Sequence, residues 1–249
     1  MVLANREYQK EDKQVKNSPI RSVDEEMKER LQPLFLDSTL EWIKNRSKEF
    51  IKLMSYYKCA MMEIETKFNV LSEEYSLEHD RNPISAVKTR LKRVESIKEK
   101  LERRSLPITI ESIEQNINDV AGVRVICSFP DDVYAIADAF LAQDDIKLIQ
   151  KKDYIRSPKE NGYRSLHLIV SIPIFLAHEK REMKVEVQLR TIAMDFWASL
   201  EHQMRYKKDF EFTEDMEREL FICAEVSAAL DARMDKLRKN ALREETNNE

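Results

Sequence analysis

Residues 39–70 contain neither Pro nor Gly, and apolar residues recur there at helical spacing: Trp42, Ile43, Phe50, Leu53, Met54, Tyr57, Met61, Ile64 and Phe68. Positions three and four apart share a helix face, so the pattern predicts one long amphipathic helix with a structural or oligomeric role. Ser38 and Glu41 have the spacing of a capping box at its start. Asn82-Pro83 reads as the cap and first position of a short helix, with a strand following at residues 89–93. Residues 94–104 and 109–117 read as helices. Residues 120–129 are rich in β-branched side chains and predict a strand, and Pro130 opens a helix to about residue 141. A further strand is expected at 147–154, and alternation marks 163–172 and 183–190 as strands. Residues 191–206 read as a helix with Phe196, Trp197, Leu200 and Met204 on one side. A last long helix is expected from 214 to about 240.

These elements predict an α/β fold, a mixed sheet of about five strands flanked by helices. The expected division is a polar segment at 1–36, a helical extension at 37–80, the sheet domain at 81–206 and a C-terminal helical extension at 207–249. A charged fraction of 35% fits long helices with solvated faces. Lys and Arg total 42 against 46 Asp and Glu, a net charge of −4, so any phosphate site must be a local basic cluster. The three cysteines form no CxxC pair and read as reduced thiols. No secretory signal is visible in the charged first 30 residues, and no apolar run approaches the ~20 residues of a membrane span. A cytoplasmic protein is therefore expected. Glycine occurs twice, at Gly122 and Gly162, where average usage gives roughly 17. Both sit beside polar clusters.

On the strand around 183–190, Val185, Val187 and Leu189 share one face, with Lys184, Glu186, Gln188 and Arg190 on the other. A solvent-facing sheet surface gives the same pattern. Near the strand after Gly162, Tyr163, Ser165 and His167 oppose Leu166, Leu168 and Val170, and Lys159 and Arg164 flank the turn. A ring to stack on a base and cations for phosphate suit nucleotide binding. Asp119 and Glu186 are hard oxygen donors that together could hold Mg²⁺, although a carboxylate such as Asp119 also serves as a turn residue. A basic cluster comprises Lys88, Arg90, Lys92, Arg93, Lys98, Lys100, Arg103 and Arg104; Ser96 and Lys100 fall one helical turn apart. Part of that cluster is a solvated helix face balanced by Glu95, Glu99 and Glu102. Neither a P-loop nor a GxGxxG fingerprint is present.

The segments RLKRVESIKEK (90–100), DVAGVR (119–124), NGYRSLH (161–167), VEVQLRT (185–191) and FWASLEH (196–202) resemble, in order, the motifs of the RelA/SpoT-type (p)ppGpp synthetase domain. The short chain resembles the family's small alarmone synthetases. The resemblance implies a nucleotidyltransferase-like core that moves pyrophosphate from ATP to the 3′-hydroxyl of GTP or GDP and releases AMP. It implies Arg90 and Arg124 around the adenine, and Lys92, Ser96 and Lys100 on ATP phosphates. Asp119 and Glu186 would be the catalytic carboxylates and bind Mg²⁺. Tyr163 would stack on guanine, with Lys159, Arg164 and His167 on the acceptor or its phosphates, and Gln188, Asp195 and Glu201 in the acceptor pocket. A homo-oligomer, a tetramer held by terminal helices, is implied as well. His79-Asp80 is similar to the His-Asp pair of the family's hydrolase domain but reads as a polar linker. No ribosome-sensing domain is expected, and Ile84-Ser85-Ala86 lack the aromatic of a product-activation site. Two alternatives are a relative that pyrophosphorylates the tRNA 3′ end, which the net charge disfavours, and a non-catalytic nucleotide- or RNA-binding regulator. The regulator should have lost Asp119 and Glu186.

Overall fold

A computed structural model describes residues 39–78, 81–206 and 212–247. The segment 1–36, Ser38 of the expected cap and the His79-Asp80 pair lie outside them. The elements in chain order are α1 (Thr39–Glu78), β1 (Ile84–Leu91), α2 (Val94–Arg103), α3 (Ile110–Asn116), β2 (Ala121–Cys127), α4 (Pro130–Leu141), β3 (Lys147–Asp153), β4 (Leu166–Phe175), β5 (Lys180–Thr191), α5 (Ile192–Tyr206) and α6 (Glu214–Asn247). The stripe expected on α1 is its buried face: Phe50, Leu53, Tyr57, Ile64 and Phe68 are all almost inaccessible. Each such side chain contributes about 1.5–3 kcal/mol on burial.

The five strands form one sheet in the order β1-β2-β5-β4-β3. β2 and β5 run parallel; the other neighbours are antiparallel, so the sheet is mixed. α1 and α4 pack together beside the sheet, and the Phe68 and Phe140 rings stack 4.5 Å apart. The apolar positions of the central strands complete this core: Val123, Val125, Leu166, Leu168, Val185, Val187 and Leu189 are buried. Strand alternation then sends their polar neighbours to the other face.

Asn82-Pro83 opens no helix. Asn82 Oδ1 accepts from the Ile84 amide at 2.9 Å, an Asx turn, while its amide nitrogen donates to Ser72 Oγ at 2.7 Å. The capping chemistry is present, but it ties the chain to α1 and feeds β1, which starts well before residue 89. β4 begins at Leu166, leaving Tyr163 in the preceding loop. On α5 only Trp197 of the expected stripe turns inward, its indole N–H donating to the Leu220 carbonyl at 2.9 Å. Phe196, Leu200 and Met204 are exposed, as are Ile222, Val226, Leu230, Met234 and Leu237 on α6.

Candidate active site

Strand register assembles the polar face. One row across the sheet pairs Lys88 with Arg124, Arg124 with Gln188 and Gln188 with His167. The next row pairs Arg90 with Gly122 and Gly122 with Glu186. Gly122 thus leaves a gap in a row of long side chains, and a Cβ there would meet only the Arg90 carbonyl, at 3.4 Å. Lys88, Arg90, Gly122, Arg124, Glu186 and Gln188 of these rows line a cleft of about 470 Å³ together with Lys92, Asp119, Tyr163 and Arg190. α5 closes one side with Ser199, Glu201, His202 and Gln203.

On the β1–β2 side, the Lys92 amide donates to the Val120 carbonyl at 2.8 Å, which brings the end of β1 beside the start of β2. Asp119 there accepts from Lys92 Nζ at 3.0 Å and from Lys100 Nζ, on α2, at 2.8 Å. Burial pushes the Asp119 carboxyl up, but Lys100 and Lys92 more than offset it, and the group lies below its ordinary pKa. Ser96 sits half-buried on α2, one turn before Lys100, and does not line the cleft.

Glu186 is held from both oxygens. Gln188 Nε2 donates to Oε2 at 2.8 Å, and His167 Nδ1 lies 3.5 Å from Oε1. Burial raises its pKa and the charge on Asp119 adds to that, yet His167 and Gln188 bring the net value below the usual range. Asp119 and Glu186 therefore remain ionised at neutral pH and feel one another. Among the described residues no group of three or more His, Cys, Asp or Glu could hold a metal ion. A cation here would have two carboxylates and would complete its shell from elsewhere.

On the β4 side, the loop before β4 carries the aromatics. The Asn161 side chain accepts from the Tyr163 amide at 3.2 Å, and the Gly162 amide donates to the Lys159 carbonyl at 2.8 Å. Gly162 has φ +84°, and a Cβ there would fall 2.5 Å from Ala224 Cβ on α6, so glycine is required. Tyr163 OH lies 2.8 Å from His167 Nε2. Lys159 Nζ sits 4.8 Å from the ring centroids of both Tyr154 and Tyr163. Glu201 is bonded by Asn161 at 3.4 Å and by Arg205 at 2.5 Å.

Two residues grouped with the acceptor in the sequence lie elsewhere. Arg164 turns toward α6, donating to the Gly162 carbonyl at 3.1 Å and to Glu225 at 2.8 Å, because it alternates with Tyr163. Asp195 is nearly buried under the β1–β2 side, taking bonds from Lys88 at 3.2 Å, Arg124 at 3.0 Å and Arg190 at 3.2 Å. Burial raises its pKa, but Lys88, Arg124 and Arg190 together pull it below the ordinary value. Lys88 and Arg190 are the cleft cations to which the sequence assigned no role. Both carried a signal: Lys88 keeps the alternation of Arg90, and Arg190 continues Lys184-Glu186-Gln188.

Residues 89–211 match the region found in RelA/SpoT proteins. Over 183 residues, 74% of this chain and 87% of the relative, the sequence is 44% identical to GTP pyrophosphokinase YwaC of Bacillus subtilis. The chain belongs to the RelA/SpoT family. This RelA/SpoT chain is also 35% identical to the GTP pyrophosphokinase YjbM of the same organism, across 77% of its own length and 89% of that protein. It superposes on the small alarmone synthetase 1 of B. subtilis bound to its product pppGpp with a TM-score of 0.72 and 35% identity, covering 78% of this chain and 98% of that one. Within the family it stands with the small alarmone synthetases, and all five sequence motifs fall inside the matched region.

Proposed function

We propose that this chain transfers the β,γ-pyrophosphate of ATP to the 3′-hydroxyl of GTP or GDP, releasing AMP and forming (p)ppGpp in the stringent response. The observation that carries the reading is a single cleft gathering two ionised carboxylates, the cations Arg90, Lys92 and Arg124, and the aromatic of the NGYRSLH segment. The relatives YwaC and YjbM, both GTP pyrophosphokinases, and the pppGpp-bound neighbour support it.

In this reaction the acceptor 3′-oxygen forms a bond to the β-phosphorus while the bond from that phosphorus to the α,β-bridging oxygen breaks. Two polyanions must be brought into line, so positioning and charge neutralisation do most of the work. Arg90 and Arg124 bracket the adenine. Lys92 and Lys100 hold ATP phosphates, exchanging Asp119 for phosphate oxygens, while Ser96 stays outside the cleft one turn before Lys100. Tyr163 stacks on guanine, with Lys159, His167, Gln188 and Glu201 around the acceptor. Asp119 and Glu186 would hold Mg²⁺, which takes one or two carboxylates and fills its shell from phosphates and water. Bound there, the ion supplies neutralisation of phosphate charge. Glu186, fixed by His167 and Gln188, orients the 3′-hydroxyl and accepts its proton.

The catalytic unit is residues 81–206, and the chain works as a cytoplasmic homo-oligomer, a tetramer. The exposed apolar rows on α5 and α6 support assembly, because a monomer gains nothing from leaving them in water. No helix among the described residues is long and apolar enough to cross a membrane. Incubation with γ-labelled ATP, Mg²⁺ and GDP, GTP or tRNA, resolved by thin-layer chromatography, tests the reading. Label is expected in ppGpp or pppGpp. Label in tRNA alone, or in no guanosine nucleotide, contradicts it.

A further inference from the structure

Arg190 belongs to β5 yet is 4% exposed, the one polar-face residue of its strand that is buried. Its guanidinium forks. One arm donates to Asp195 Oδ1 at 3.2 Å; the other donates to Tyr163 OH at 2.6 Å and to Gln188 Oε1 at 3.0 Å. The same face lies 5.1 Å from the Tyr163 ring centroid. Asp195 Oδ1 also takes the bond from Arg124, so one carboxylate oxygen joins two arginines. A continuous chain of bonds therefore runs from Arg124 through Asp195 and Arg190 to Tyr163.

The geometry points to Arg190 and Asp195 as positioning residues that couple the two nucleotide sites, so that filling the ATP side strengthens acceptor binding at Tyr163. This rests on the reading of the cleft as a site for ATP and a guanosine nucleotide. Arg124 meets the first nucleotide and Tyr163 the second, while Arg190 and Asp195 act through them. Lys carries all its donors on one nitrogen and cannot replace the fork, whose planar guanidinium reaches Asp195 from one nitrogen and Tyr163 and Gln188 from another.

Coupling also needs an element with somewhere to move. The Nε atoms of Arg124 and Arg190 are both buried without a hydrogen-bond partner, although buried donors are nearly always satisfied. Burial lowers the Arg124 pKa, and repulsion from the like charge on Arg190 adds to it. A nucleobase stacked on Arg124 changes how firmly that arginine holds Asp195. The share of Asp195 left to Arg190 changes with it, and so does the placement of the Tyr163 hydroxyl. Linkage makes the effect reciprocal: the acceptor must tighten ATP binding by the same factor.

Calorimetry measures the dissociation constant of GDP with and without a saturating ATP analogue that carries a methylene between the α- and β-phosphorus, which blocks transfer. The expected ratio in the unmodified protein is at least ~5, the lower end of ordinary coupling. Two variants break the chain at different links: Arg190→Lys, and Tyr163→Phe, which removes only the hydroxyl and keeps the ring. In each the ratio should fall to about 1, whatever happens to either affinity alone. A residue that merely supports the fold would weaken both affinities and leave the ratio unchanged. A ratio near 1 in the unmodified protein, or one that survives in either variant, overturns the inference while leaving the pyrophosphate-transfer reading standing. A protein that binds neither nucleotide overturns both.

Discussion

The two sides of the cleft are built differently. The β1–β2 side stands on strand register and a short helix, and its cations rest on two carboxylates: Lys92 and Lys100 on the half-buried Asp119, Lys88 and Arg124 on the buried Asp195. The Tyr163 side stands on a loop, fixed by an Asx turn and by α6 packing on Gly162. The first is prepaired charge, which a nucleotide must compete with. The second is shape, held by an element far away in sequence. Disturbance on the first side should therefore act through charge, and on the second through strain and packing.

The largest expected effect falls where the sides meet. Glu186→Gln removes a charge that His167 and Gln188 hold in place, and kcat should fall about 10²–10⁴-fold with both KM values within a few-fold. Single-turnover chemistry with saturating nucleotides checks it. Lys100→Met separates the sides: removing a charged hydrogen bond worth about 1.5–3 kcal/mol should raise the KM for ATP about 10–100-fold and leave that for GDP alone. Gly162→Ala should do the converse. Strain at positive φ costs roughly 1–3 kcal/mol, and the clash with Ala224 adds to it, so the KM for GDP rises about tenfold or more while that for ATP stays put. Initial-rate matrices in both substrates resolve these two variants, and equal changes in both KM values would erase the distinction.

The smallest expected effect is on stability. Asp195 has a folded pKa below its ordinary 3.8. Its three cations therefore contribute stability that is fully present above that value and is lost as the pH falls through the folded pKa. Asp195→Asn should lower urea midpoints near neutrality and flatten their decline on the acid side. An unchanged acid slope would mean that the carboxylate is not the group responsible.

The sequence made the elements with one clear periodicity legible. The α1 stripe and the alternation of β5 follow from burial on one side only. It misread Asn82-Pro83 because a cap and a proline also begin an Asx turn, and β1 is an edge strand whose residues 88–90 are all exposed, so burial does not mark where it starts. The charged lining of the cleft was legible as a set, since charge on a strand face shows without contacts. Their partition was not. Whether Arg164 faces the cleft or α6, and which cations Asp195 collects, depends on elements that meet only in the fold. Arg190 was visible in the alternation, but its burial was not.

The most direct test of the account follows phosphorus. In ³¹P NMR of the protein with ATP, GDP and Mg²⁺, AMP should appear one-to-one with a guanosine 3′-diphosphate, and both signals should vanish together in Glu186→Gln. ADP as the leaving product, or AMP with free pyrophosphate and unmodified GDP, would contradict transfer to the 3′-hydroxyl.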